Sequence, residues 1–111
     1  SGAATVTVTG VAITLADGNN GNTNLSFAGT GTNGGSVTVS VCKVATFPCT
    51  GGNVVGSVNS PSTVAGGAWT TGNMSGLVAG TDYYALAVQS TPSATSAVVG
   101  PFQARNGDYS F

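Results

Sequence analysis

Cys42 and Cys49 are the only cysteines in the chain, with Lys43-Val-Ala-Thr-Phe-Pro48 between them. The spacing is not C-x-x-C, and with no His and no further Cys a zinc site cannot be completed. Oxidation to a local disulfide is the chemistry expected of this pair, with two free thiols as the alternative. A disulfide implies an oxidising compartment.

Catalytic chemistry is sparsely provided for. The sequence holds no His and no Glu, so Ser-His-Asp and Cys-His arrangements are impossible and the commonest general base is missing. The three acids, Asp17, Asp82 and Asp108, each sit in turn-like sequence and read as turn or cap residues. Asp17-Gly-Asn-Asn-Gly-Asn22 places oxygen ligands at alternate positions, but one carboxylate is too few for a strong calcium loop. No catalytic residue, metal or cofactor is expected.

Lys43 shares the alternating phase of Val37, Val39 and Val41, which would carry its ammonium inward. A buried Lys needs a partner, and some surface proteins solve this with a Lys–Asn isopeptide crosslink assisted by an acid, here Asp82. The simpler reading, preferred here, ends the strand at Lys43 with the ammonium reaching solvent. Asn24-Leu-Ser26 and Asn73-Met-Ser75 fit the N-x-S acceptor pattern, which makes Asn24 and Asn73 candidate glycosylation sites.

The elements that position these residues are strands. The chain has 111 residues, enough for one domain with a real core. Gly occupies 18 positions, 41% of residues are hydrophobic, and mean hydropathy is +0.26. That balance, rich in alternating Val and Thr, is unlike a disordered chain. No 3.6-residue period runs over any long window, whereas period-2 patterns recur throughout.

About seven strands follow from that pattern. Thr5–Thr9 and Val11–Leu15 alternate on either side of Gly10, which permits a kink or bulge and shifts the apolar phase. Further strands are expected around Leu25 and Phe27, over Ser36–Val44, at Val54, Val55 and Val58, around Trp69, over Thr81–Thr91 and over Ser96–Ala104. Glycine-, Asn- and Pro-rich turns separate them, and 105–111 reads as a turn and tail. The fold class expected is an all-β antiparallel sandwich.

Leu77-Val-Ala-Gly80-Thr81-Asp-Tyr83 resembles the L-x-P-G-T-x-Y signature that precedes the sixth strand of fibronectin type III domains. Ala79 stands where that signature has Pro. The resemblance implies an immunoglobulin-like, fibronectin III-like sandwich with Tyr83 as its corner tyrosine, Leu77 as a core plug and Gly80-Thr81 as the turn. The longer run from Trp69 through Leu77, Gly80 and Tyr83 to Ala87 is similar to bacterial Ig-like repeats of surface adhesins. That likeness bears on fold more than on function.

Five charged side chains, 5% of the chain, leave a formal net charge of −1. An ordinary soluble domain carries about 25%. With no basic patch, nucleic acid and anionic membranes are poor partners, and no apolar run is long enough to span a bilayer as a helix. The chain begins at Ser1, which reads as a mature form after removal of an export signal or as a boundary cut within a longer chain.

Two features point to self-association. If Tyr83, Ala85 and Ala87 face the core, then Tyr84, Leu86 and Val88 form an outward apolar stripe that a neighbour would cover; the reverse phase buries the larger residues instead. Residues 1–16 are longer than a first strand needs, and Val6, Val8, Val11, Ile13 and Leu15 complete the candidate assembly surface. This segment either pairs within its own domain, as half-strands switching sheets at Gly10, or is donated to a neighbour. The function expected is a non-catalytic extracellular structural protein, the subunit of a pilus-like homopolymer at the cell surface. The alternatives are an adhesive or spacer module of a larger surface protein, with a glycan or other surface ligand, and a virion surface or decoration protein.

Overall fold

The computed structural model describes residues 10–17, 26–72, 74–78 and 80–103, excluding the side chains of 15–17 and 103. Eight strands and one 3₁₀ turn lie among them: β1 Ala12–Asp17, β2 Ser26–Thr30, β3 Ser36–Cys42, β4 Val54–Asn59, β5 Ala68–Thr70, β6 Asp82–Ser90, β7 Ala94–Thr95 and β8 Val99–Gln103, with the 3₁₀ turn at Gly51–Asn53. They form two antiparallel sheets in a sandwich-like arrangement. One sheet has the order β1-β2-β5; the other runs β4-β3-β6-β7, with β8 also on β6 beyond β7.

Period-2 alternation supplies the core. Val37, Val39 and Val41 of β3 and Tyr83, Ala85 and Ala87 of β6 point between the sheets and are buried. From the opposite sheet and its flanks come Val11, Phe27 and Trp69, while Val64, Met74, Leu77 and Phe102 complete the cluster. Phe102 joins Phe27 and Tyr83 through ring contacts at 6.1 and 6.3 Å. The small side chains of Ala85 and Ala87 leave room for these rings, so the alanine phase is the buried one.

Trp69 fixes the meeting of β2 and β5. Its Nε1–H donates to the Thr30 carbonyl at 2.8 Å, and its ring lies over Gly29. A Cβ on Gly29 would collide with the Ala12 carbonyl oxygen and come within 2.6 Å of the Trp69 ring. Only glycine lets β1, β2 and the indole come this close.

Hydroxyl side chains hold the chain where it leaves a sheet. The Thr71 N–H donates to the Phe27 carbonyl at 2.9 Å, and Thr71 Oγ1 accepts from the Phe27 N–H at 2.9 Å. Ser96 repeats the device on Ala87, at 2.9 and 2.9 Å, and Ser60 repeats it on Val37, at 2.8 and 3.2 Å. In each case the hydroxyl stands in for the carbonyl of a regular antiparallel pair. The backbone can then turn away without orphaning a buried N–H.

The Ser96 substitution also corrects the expected last strand. The strand expected over Ser96–Ala104 starts only at Val99: β7 precedes it, 96–98 are irregular, β8 follows, and Ala104 lies outside the described residues. Around Gly10 the chain bends, whereas the register irregularity of the β1–β2 pair falls between Ile13 and Leu15. The expected strand over Thr5–Thr9, the Asp17–Asn22 turn beyond Asp17, and the 105–111 tail lie outside the described residues.

Candidate functional site: an outer groove and an open sheet edge

Cys42 ends β3, and the chain then loops to Cys49, to which it is joined by a disulfide. The Cα atoms are 6.3 Å apart, within the normal span of such a bond. Lys43 lies just past the strand end, exposed, its N–H donating to the Asn53 carbonyl at 2.9 Å. The inward phase therefore stops at Val41, and the buried lysine that an isopeptide would need is not formed. Asp82 is exposed at the start of β6.

The closed loop stands over the outer face of the larger sheet and makes a groove of about 500 Å³. Phe47, Pro48 and the disulfide form one wall, and Val54 of β4 adds to the apolar lining. Leu86 and Val88 lie beneath, with the hydroxyl residues Ser40, Ser57 and Thr95 spaced among them. The register explains the floor: Ser40 is opposite both Leu86 and Ser57, and Val88 is opposite Thr95. Such a lining, mostly apolar with a few hydroxyls and no charge, suits an uncharged and largely apolar occupant.

The candidate assembly residues divide. Tyr84 and Leu86 are half-buried and Val88 is 42% exposed, all on the outer face. Val11 is 2% exposed and belongs to the core. It is therefore no part of an external surface. Ile13 is half-buried against that core. The backbone of Leu15 is in β1, whereas its side chain, Val6 and Val8 lie outside the described residues, as do Asn24 and Asn73.

At the proposed corner, Leu77 is buried and Gly80 has φ +85°, a conformation that favours glycine. The Val78 N–H donates to the Tyr83 hydroxyl at 2.7 Å, and the Thr81 N–H donates to the Val78 carbonyl at 3.3 Å. The turn over Val78–Thr81 is thus tied to the ring that plugs this end of the core.

Two features were missed in the sequence. Gln89 is 1% exposed; its Oε1 accepts from the Thr32 N–H at 2.8 Å, and its Nε2 donates to the Pro92 carbonyl at 2.8 Å. Parity with Tyr83, Ala85 and Ala87 was the available signal. The second is that β4 is an edge: β3 is its only partner among the described strands. It carries no charge and no proline, two of the usual protections of an open edge. No family model, curated protein or solved structure matches the chain.

Proposed function

We propose that this chain is a non-catalytic extracellular structural protein that self-assembles into a surface filament through β-strand contacts. The observation that carries the reading is the uncharged β4 edge, which has no partner on its outer side among the described strands, beside an apolar outer face in a chain with only five charged side chains. An unpaired row of backbone N–H and C=O groups is a template for another strand, and a small net charge opposes association only weakly. The disulfide is compatible with an oxidising, extracellular setting. No helix among the described residues is long and apolar enough to cross a membrane.

A fibronectin III-like fold goes with this reading. The constant-type immunoglobulin order places strands 1-2-5-4 against 3-6-7. Here 1-2-5 faces 4-3-6-7, the same order with the fourth strand moved to the other sheet. The Val78–Tyr83 hydrogen bond has the form of the corner tyrosine in that class.

An adhesive or spacer module is the second reading, favoured by the outer groove. Light scattering with negative-stain imaging separates the two. A filament subunit forms fibres of uniform width. A chain that stays monomeric at high concentration overturns self-assembly and favours the module.

A further inference from the structure

We propose that the β4 edge of one copy receives residues 1–9 of the next copy as an added strand; the proposal rests on the filament reading and names its contact. The acceptor follows from the ladder. The Ser60 N–H donates to the Val37 carbonyl, so alternate residues Val58 and Gly56 turn their backbone groups toward β3, opposite Val39 and Val41. The backbone N–H and C=O groups of Ser57 and Asn59 therefore point away from the sheet, where only an extended chain can pair with them in register.

The other edge of this sheet is a poorer template. It is split into β7 and β8, and Pro101 within β8 has no N–H to offer. The two edges are thus unlike, and among the described residues β4 has no partner on its outer side.

The donor follows from length, pattern and point of departure. Thr5-Val-Thr-Val-Thr9 alternates and has neither charge nor proline. Nine residues extend about 30 Å, more than the roughly 20 Å of a six-residue strand such as β4. Gly10 lies against Ala94 of β7, its missing Cβ leaving room for the Ala94 methyl. The segment therefore departs beside the edge opposite β4, three strand spacings or about 14 Å away. Donor and acceptor lie on different edges, so the contact is head-to-tail, and it builds a fibre where the rotation between copies does not close a ring. In the added strand Val6 and Val8 share one face and meet the groove rim, where Val54 is 52% exposed and Ser57 lines the floor.

The test uses full-length chains carrying Val8→Cys or Ser57→Cys, mixed with a short bifunctional thiol reagent under non-reducing conditions. The expected result is cross-linking between the two variants and not within either alone. Ser57–Ser57 cross-links alone would mean a two-fold edge contact and overturn the proposal. A Val8→Cys/Ser57→Cys double variant that closes within a monomer would overturn it in favour of pairing inside one chain. Absence of any cross-link in wild-type-like fibres overturns the proposal and leaves the filament reading standing. Wild-type chain that forms no fibres removes both. Ser57→Pro, which deletes an outward N–H, and Ser57→Lys, which charges the edge, are each expected to abolish fibres while keeping the native Trp69 fluorescence. Fibres that persist in both folded variants also overturn it.

Discussion

At the scale of single residues, side-chain oxygens do much of the work of ending strands. Ser96 Oγ takes the N–H of Ala87, a residue with no exposed surface. Ser96→Ala leaves that donor buried and unpaired, and a stability loss of about 1–3 kcal/mol is expected. Ser96→Thr, which keeps the oxygen, should recover most of it; urea melts followed through the single tryptophan, Trp69, check both. Gln89 raises the same issue twice over, because its amide serves Thr32 and Pro92 from inside the sandwich. Gln89→Leu preserves bulk but removes both bonds; water can reach the exposed Thr32 and Pro92, so a loss of about 1–3 kcal/mol is expected for the pair. The Tyr83 hydroxyl accepts from the N–H of an exposed residue, Val78. Water can replace it there, and Tyr83→Phe should cost only about 0.5–1.5 kcal/mol. Equal losses for Tyr83→Phe and Gln89→Leu would contradict this ordering.

At the scale of elements, the disulfide loop and the edge strand define the outer surface. The Cys42–Cys49 bond closes a short loop, and its removal should cost about 2.5 kcal/mol in the loop-entropy model. A Cys42→Ser/Cys49→Ser double variant is expected to show that loss as a lower denaturation midpoint with an almost unchanged slope. Phe47 and Pro48 form a groove wall through this closure. Binding of an environment-sensitive apolar dye at the groove should therefore fall in the double variant while the protein remains folded. Dye binding that is unchanged in the folded double variant would mean that the loop wall does not depend on the disulfide. The β2–β5 meeting is less forgiving, because any side chain at residue 29 meets the Ala12 carbonyl and the Trp69 ring. Gly29→Ala is expected to lose at least about 3 kcal/mol, as overpacking and backbone displacement act together.

At the scale of the whole molecule, the scarcity of charge bears on the proposed self-association. With two cationic and three anionic side chains, long-range repulsion is weak and salt has little to screen. Fibre growth is therefore expected to change little from low to high ionic strength, as measured by light scattering. A strong acceleration by salt would mean that like charges oppose the contact, and a strong inhibition that ion pairs make it. Deleting residues 1–9 should abolish assembly if the segment is donated. The deletion should also leave the sandwich intact, since the described core begins at Val11.

The sequence by itself determined the all-β class and most of the strand positions, because period-2 alternation needs only one inside and one outside. Val37, Val39 and Val41 declare their face in this way, and nearby Cys42 and Cys49 could meet through a short loop. The tertiary structure decided what depends on residues distant in sequence. That β4 lies at an edge, and that Ser40, Phe47, Val54, Leu86 and Thr95 share one groove, follows from strand order, which local patterning does not encode. The phase of β6 was settled by volume, since Ala85 and Ala87 must face inward to admit Phe27, Tyr83 and Phe102. The burial of Val11 and the split of β7 from β8 were settled likewise, by where the chain must turn and which hydroxyl completes the ladder there.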